Sequence, residues 1–530
     1  MFQTLKSNRG LSLAATLSLS ALLFTACGGG VNTTAENNEG EIAASTSSTG
    51  TLNISTSFAP VSMNPAMSGN GRAGSMLQPA YEPLVRTTAD GTIEPALAES
   101  WEVSDDNMSV TFTLRQDAAF SDGEPVNAEA AKTSVEYFLE RGGPFTATLQ
   151  DLASIDVPSE YEVTFNFDKP NPDIVGLFNT YWLAGALISP AALENPDQVD
   201  TQTFGAGPYV LDEAQTTSGN TYTYVPNEHY YDQDEISWEQ VVISVYEDQN
   251  SAIQAFKTGQ LDVMISDPVT ANANQDGLEE GQRIVSDPVQ WSGLVISDRD
   301  GAVAEPLGDV RVRQAMNYAL DRETITNALF GDFGVPTSQV QVEGFVGHDP
   351  TLDEEYAYDP DKARELLAEA GYADGFSFTT TYVNNTLNST QAQAMAGQFA
   401  EVGITMNTRE VQNFGELEGV FNQGEASAVV IQSNSGAPYL SHFQTLAPNG
   451  SMNFLGSTDD ELNQLLDTAA QLPLEEAQEE WQNVYGWLSD EAWFAITSAL
   501  DVSYFVGQGV DVPQPGQSLI IDIVDMKPAE

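Results

Sequence analysis

The sequence has a single cysteine, Cys27, among its 530 residues. One thiol cannot form an internal disulfide, so the fold depends on the size of its core rather than on covalent cross-links. The same scarcity excludes cysteine-based metal clusters and most thiol redox chemistry. A hydrophobic content of 41% is ordinary for a globular protein with a substantial core.

Basic residues are also scarce, because 18 Lys and Arg stand against 77 Asp and Glu, for a formal net charge of −59. A surface with this charge repels phosphate backbones and anionic lipid headgroups, which argues against nucleic-acid binding. We interpret the excess of acids as a solvated acidic surface rather than as a specific cation-binding device.

Motifs for catalysis and cofactor binding are missing as well. There is no H-E-x-x-H and no G-x-S-x-G. The stretch "GNGRAG" at 69–74 has the spacing of a dinucleotide-binding loop, but a proline-containing stretch precedes it where that motif requires an apolar strand. We therefore interpret it as a loop, and we expect no enzyme activity, no cofactor and no metal site.

Cys27 follows the one long apolar run near the start of the chain. Lys6 and Arg9 precede residues 11–24, "LSLAATLSLSALLF", which carry no charge. At about 1.5 Å per residue this run spans about 21 Å as a helix, short of the roughly 30 Å hydrocarbon core, but typical of a signal peptide. Because small residues directly precede the cysteine, the segment resembles a bacterial lipobox, and we predict that Cys27 is acylated. An incidental cysteine after an ordinary signal peptide is the alternative.

The residues after Cys27 are rich in Gly, Ser, Thr and Asn up to residue 50, a composition typical of a flexible tether. From residue 51 onward, strand and helix patterns alternate, which predicts an α/β fold. Residues 109–114 alternate apolar and polar side chains, as a half-buried strand does. Asn127 and Asp359 stand where helix N-caps are expected. Residues 241–265 read as strand, helix and strand, a βαβ unit.

Three arginines, Arg311, Arg313 and Arg322, lie close together in the segment "DVRVRQAMNYALDRE". Because basic residues are so few, we expect these arginines to pair with carboxylates inside the fold, in a structural role.

A series of short motifs follows in a fixed order along the chain. They are "YEPL" (81–84), "EPALAESW" (94–101), "FTLR" (112–115), "FSDGEPV" (120–126), "GAGPY" (205–209), "PNEHYY" (226–231), "GQLDV" (259–263), "DVRVRQAMNYALDRE" (309–323) and "YDPDKARELLAEAGY" (358–372).

In this order and spacing the motifs resemble the family 5 extracellular solute-binding proteins, the peptide- and nickel-type binding components of ABC importers. The resemblance implies a two-lobed, type II periplasmic-binding-protein-like fold with an additional domain inserted in the first lobe. It also implies a monomer, outside the cytoplasm, that works with permease subunits and touches the membrane through its lipid only. The expected division is a signal peptide (1–26), a tether (27–50), a first lobe made of three segments (51–75, 203–290 and 496–530), an inserted domain (76–202) and a second lobe (291–495).

The solute is not determined by the resemblance. An oligopeptide-class solute is one expectation; a chelated metal, an oligosaccharide and an opine-like compound are alternatives. A lipid-anchored hydrolase and a sensor protein that uses the same fold also stay open.

One long segment, residues 426–458, contains no Asp, Glu, Lys or Arg, although the chain's 18% of charged residues would place about six there. A buried strand accounts for part of it, and the remaining neutral, aromatic-containing part suits a ligand cleft. In peptide-binding relatives the corresponding stretch carries an Asp for the ligand's amino group, and here Asn434 takes that position. We predict Asn434, Tyr439 and His442 as contacts for a neutral or non-peptide solute, with His442 also able to hold a chelated metal.

The substitution Cys27→Ser should block acylation, because only the thiol accepts the lipid. We expect the variant in the medium or as an uncleaved precursor, as judged by cell fractionation and intact mass. Thr33→Ser, a change within the tether, is the control and should behave as wild type. Recovery of the Cys27→Ser protein on the membrane in the same processed form as wild type would show that the lipobox interpretation is wrong.

Overall fold

The computed structural model places the folded body of the chain and leaves the first 49 residues undescribed. The predicted signal peptide, Cys27 and most of the tether therefore lie outside the described residues, as does most of the "GNGRAG" loop. For Phe414, Tyr439, Leu440, His442 and Phe443 the backbone alone is described. The described residues are 50–68, 74–277, 283–436, 438–448, 450, 452–518 and 520–529.

The first sheet has seven strands, which come from distant parts of the chain. Thr51–Thr56 lies near its centre, parallel to Gln240–Val245 on one side and to Val263–Ser266 on the other. The predicted βαβ unit is thus confirmed, with Thr51–Thr56 between its two strands. Ser503–Val506 lies between Val263–Ser266 and Arg283–Val285, antiparallel to both. In spatial order the strands are Arg283–Val285, Ser503–Val506, Val263–Ser266, Thr51–Thr56, Gln240–Val245, Thr221–Pro226 and Tyr209–Leu211.

The second sheet has six strands and forms the centre of a second lobe. Its inner strands Gln290–Ile296 and Phe494–Leu500 are buried at every residue and pair antiparallel. Strands buried along their whole length require layers on both faces, and two separate apolar clusters cover this sheet. In spatial order the strands are Gly334–Pro336, Phe494–Leu500, Gln290–Ile296, Ala428–Asn434, Phe376–Val383 and Ile404–Val411.

Two short segments, residues 286–289 and 501–502, carry the chain between these sheets. They run side by side: the Ser286 amide donates to the Val502 carbonyl at 2.9 Å, and the Val502 amide donates to the Ser286 hydroxyl oxygen at 2.7 Å. A few residues between the ends of strands, as here, are where hinges between lobes occur.

The segment predicted as the inserted domain, residues 76–202, contains a third sheet. Phe112, Phe165 and Phe178 pack together in its core, with ring centroids 4.4 to 6.1 Å apart. This core is continuous with that of the first sheet, so the inserted domain and the first lobe form one packed body. The strands of the third sheet are, in spatial order, Ala98–Val103, Ser109–Leu114, Glu162–Phe167 and Leu152–Ser159; two-stranded pairs are Val85–Thr87 with Ile93–Pro95 and Val510–Asp511 with Lys527–Pro528.

Helices cover the sheets. In the described part of the chain none of them is long and apolar enough to cross a bilayer. The α-helices are Gly74–Leu77, Ala128–Arg141, Pro190–Leu193, Gln249–Lys257, Pro268–Asn274, Val310–Tyr318, Arg322–Leu329, Pro360–Glu369, Thr386–Glu401, Phe414–Asn422, Pro438–Thr445, Asp460–Ala469 and Gln478–Asp490.

The local patterns of the sequence are confirmed where they can be checked. Ser109–Leu114 is a strand that buries every second residue. Asn127 caps the helix Ala128–Arg141, and Asp359 caps Pro360–Glu369, each through its side-chain oxygen. These features were predictable because side-chain period and capping are local properties.

The predicted pairing with carboxylates is found for two of the three arginines, but only Arg313 is buried; the Arg311 side chain is 43% exposed. Arg311 Nε lies 3.0 Å from Asp309 Oδ1, and Arg313 Nη2 lies 3.3 Å from Glu491 Oε2. For Arg322 it is wrong. Its guanidinium is buried and donates instead to carbonyl oxygens and to the Asn317 side chain. Burial lowers the pKa of Arg322 to about 10.

The substitution Arg322→Met should lower the free energy of unfolding by about 3 kcal/mol, because it leaves the buried carbonyls of Ile496 and Tyr356 without their donor. Urea unfolding measures the change. Arg364→Met is the matched control, since Arg364 is half-exposed and pairs with Asp361, and its loss should stay below about 1 kcal/mol. Equal losses for the two variants would contradict a structural role for Arg322.

Candidate ligand-binding cleft

A cavity of about 450 Å³ lies between the inserted domain, the second lobe and the C-terminal tail. A cavity of this size suits a small organic solute. Its lining residues fall within residues 87–101 and 172–182 of the inserted domain, 344–346, 434–438 and 474–475 of the second lobe, and 517–522 of the tail.

The inserted domain contributes a rigid aromatic wall to this cleft. Tyr181 and Trp182 both line it and pack edge to face, with ring centroids 4.9 Å apart. Their backbone amides donate to the Asn179 side-chain oxygen at 3.0 and 3.2 Å. The next residue, Leu183, has φ 65°, a left-handed conformation that a non-glycine side chain keeps only where surrounding contacts enforce it. The local backbone is therefore held in a single geometry.

Asn434, predicted as a contact, lies at the wall of the cleft, at the end of the strand Ala428–Asn434. Its side-chain oxygen accepts from the Gly436 amide at 3.3 Å, which fixes the turn after the strand. Tyr439 and His442 belong to the helix Pro438–Thr445, whose first residue also lines the cleft. Their side chains lie outside the described part of the structure, so their role stays a prediction.

A buried acidic network lies at the base of the cleft and reaches it through Asp522. Arg86 Nη2 donates to both oxygens of Glu82, at 2.7 and 2.9 Å, and the hydroxyls of Tyr230 and Tyr231 donate to the same carboxylate. Asp522 Oδ2 is farther from the guanidinium, 3.8 Å from Arg86 Nε. One arginine thus faces two carboxylates, and Glu82 holds it more closely.

The pKa of Asp522 reflects this imbalance. Burial raises it to about 6; the Arg86 guanidinium opposes the rise, and the charge of Glu82 adds to it. The Gln78 side-chain amide donates to Asp522 Oδ1 and favours the ionised form. Asp522 therefore carries a charge that its surroundings only partly neutralise.

Other carboxylates line the same cleft. Asp90 and Glu475 are exposed, whereas Asp173 is buried in the wall of the inserted domain. Burial, and then the charge of Asp173, raises the pKa of Tyr485 in the helix Gln478–Asp490, so Asp173 faces the second lobe. Among the described residues no three His, Cys, Asp or Glu side chains come together as a metal site.

A comparison with known protein families identifies the family of this two-lobed chain. The model of the bacterial extracellular solute-binding proteins, family 5, matches residues 92–451, more than half of the chain. The chain belongs to this family. Its members are extracytoplasmic solute-binding components of ABC transporters rather than enzymes.

Individual relatives of this family 5 protein align over long stretches. Heme-binding protein A of Haemophilus influenzae is 24% identical over 496 residues, which cover 87% of this chain and 88% of that protein. The probable D,D-dipeptide-binding periplasmic protein DdpA of Escherichia coli is 29% identical over 318 residues, 58% of this chain and 59% of the relative. The solved structure of the Escherichia coli murein tripeptide binding protein MppA superimposes with a TM-score of 0.79 at 19% identity, covering 91% of this chain and 99% of that one. This likeness confirms the two-lobed fold.

The second-lobe wall of the cleft stands out in the sequence, whereas the acidic wall opposite it does not. The neutral segment 426–458 reaches the cavity through Asn434, Gly436 and Pro438, and the opposite walls bring Asp173 and Asp522 to the same cavity. With 77 acidic residues in the chain, no single carboxylate stands out in the sequence. The one feature of the sequence that could have pointed to Asp522 is that Lys527 is the only basic residue near it along the chain. This feature is weak evidence for a functional role.

The substitution Asp522→Asn should change the pH dependence of stability. Between the ordinary Asp pKa of about 4 and the folded value of about 6, the folded protein binds more protons than the unfolded chain. Wild type therefore loses stability as pH rises through this window, and the loss is complete above it. The free energy of unfolding of the variant minus that of wild type should therefore increase from pH 4 to 6 and stay constant above pH 6. Urea unfolding at a series of pH values measures it.

Asp212→Asn is the control for this measurement. The Gln215 side chain lowers the pKa of Asp212, so the difference between that variant and wild type should be flat above about pH 4. If the difference in unfolding free energy between Asp522→Asn and wild type does not change with pH, Asp522 is not a buried carboxylate with a partly neutralised charge.

Proposed function

We propose that this protein is the lipid-anchored solute-binding component of an ABC importer, which captures a small solute between its lobes and delivers it to permease subunits. The observation that supports this most is the cavity whose walls come from both packed bodies, joined by two short crossings. A solute that touches both walls favours the closed arrangement, which a permease can recognise.

The anchor is the acylated Cys27, which we propose as the mature N-terminus. It follows an uncharged apolar run and precedes a tether of small polar residues. A flexible tether of this composition lets a soluble body reach a membrane partner while the lipid holds it at the extracytoplasmic face. We propose a monomer, because two lobes of one chain supply the cleft.

We also propose the domain division expected from the sequence, with one adjustment. The boundary at 495 would fall within the strand Phe494–Leu500 of the second sheet. We place it at the crossing of residues 501–502 instead, so the second lobe comprises residues 291–500.

The nature of the solute is constrained by the neutral segment. Asn434 stands where a carboxylate would be needed to hold a peptide's amino group from the second lobe, and an amide cannot neutralise a buried ammonium. This favours a non-peptide solute over an oligopeptide, with Asn434, Tyr439 and His442 as contacts. A hydrolase is disfavoured: His348 lies 3.0 Å from Asp353, but Asp353 also accepts bonds from Thr337 and Gln339, which is a structural arrangement.

Small-angle scattering tests the capture mechanism. The solute is first identified by mass spectrometry of what co-purifies with the protein, removed by unfolding and refolding, and added back. The radius of gyration should fall when the solute is restored, because closure brings the two bodies together. Asn434→Ala should have the same radius without solute and need about tenfold more solute for the same compaction. An unchanged radius at saturating solute would contradict the mechanism.

A further inference from the structure

We propose that the cleft selects an organic cation that carries no carboxylate, and that Asp522 in the C-terminal tail is the residue that recognises its positive charge. The proposal rests on the proposed function, because it names the class of solute for the same cleft. It places charge recognition on the wall opposite Asn434, in a segment that sequence reasoning did not single out.

The cleft carries charge of one sign. Asp90, Asp173, Glu475 and Asp522 line it from the inserted domain, the second lobe and the tail. Lys, Arg and His are absent from its described lining residues. A cleft lined by one sign of charge and walled by protein concentrates the field within it, which attracts ligands of the opposite sign. The lining therefore favours a cation over a neutral solute.

The fold leaves the negative charge of Asp522 only partly neutralised. Its side chain is 18% exposed, and it shares a single guanidinium with Glu82, which holds Arg86 at 2.7 Å against 3.8 Å for Asp522. Because Arg86 carries a single positive charge, no rearrangement of these side chains can neutralise both Glu82 and Asp522. A ligand cation beside Asp522 would supply the missing charge, and it would do so inside a partly dehydrated cleft where such a pair is strong.

Aromatic side chains line the same cavity. Trp101, Tyr181, Trp182 and Phe345 contribute to its walls. Aromatic rings attract ammonium groups that lie over their faces, and they also accept an apolar body. Carboxylates together with aromatic rings suit an amine or a quaternary ammonium compound with an apolar body.

A carboxylate on the solute would be disfavoured. A zwitterionic peptide brings a negative charge that meets no cationic side chain among the described lining residues, and removing that charge from water unpaired is unfavourable. We therefore expect discrimination against the carboxylate as well as attraction of the amine.

Titration calorimetry with one dipeptide in four charge forms tests the proposal. The probe is alanyl-phenylalanine as its C-terminal amide, its free zwitterion, its N-acetyl acid and its N-acetyl amide, so the body stays constant while the charge changes. At pH 7.5, above the pKa of Asp522, the cationic amide should bind at least about tenfold more tightly than the zwitterion, and the N-acetyl acid should not bind.

Two variants assign the effect to a residue. Asp522→Asn should weaken binding of the cationic amide about tenfold and leave the N-acetyl amide unaffected. Asp511→Asn is the matched control: it removes an equal charge from an exposed residue of the C-terminal tail that does not line the cleft, and it should change binding less than twofold. If Asp522→Asn does not fold, the charge preference of the wild-type protein decides alone.

The remaining outcomes overturn the proposal in distinguishable ways. If the zwitterion binds as tightly as the amide, the exclusion of carboxylates is wrong; if Asp522→Asn and Asp511→Asn behave alike, the role of Asp522 is wrong. If no form binds while the co-purified solute still compacts the protein, the solute class is wrong and the capture function stands. If neither is seen, the proposed function itself fails.

Discussion

The geometry of the cleft depends on residues 286–289 and 501–502, which run side by side between the two large sheets. Backbone hydrogen bonds join them, and Val289 donates to Leu500 where they enter the second sheet. The inserted domain shares its core with the first sheet, whereas the second sheet has clusters of its own. The described chain thus forms two packed bodies, which are joined by one pair of adjacent connecting segments. The cavity lies where these two bodies face each other.

The shortage of basic residues shapes the interior as well as the surface. At the crossing, burial raises the pKa of Asp501 to about 7; Asp287 adds to the rise, and Arg283 opposes it. At the cleft, Asp522 shares Arg86 with Glu82. At the cleft two carboxylates share one guanidinium, whereas at the crossing Arg283 donates to the Gln275 side chain and acts on Asp501 only through its charge. With 77 acidic residues against 18 basic ones, most acids have to be stabilised by neutral donors or by water.

The sequence predicted those features that depend on neighbouring residues. The capped helices after Asn127 and Asp359 follow from local period and side-chain chemistry. The position of Asn434 at the cleft wall came from alignment to a known family. Asp522 was not predictable, because its neighbours in space come from the far end of the chain. The environment of Arg322 was predicted wrongly, since a sequence shows where carboxylates are but not which carbonyl oxygens a fold leaves open to a buried guanidinium.

The position of the strand Ser503–Val506 has a consequence for the order of folding. This strand lies inside the first sheet, between Val263–Ser266 and Arg283–Val285, although it follows the whole second lobe in the chain. The second lobe is one continuous segment whose ends, Gln290 and Leu500, are paired with each other, so it can fold as soon as it is complete. The first sheet cannot be completed until Ser503–Val506 has been synthesised. During that interval the edges of Val263–Ser266 and Arg283–Val285 that Ser503–Val506 later covers are unpaired, and the high net negative charge of the chain opposes association between unfinished chains.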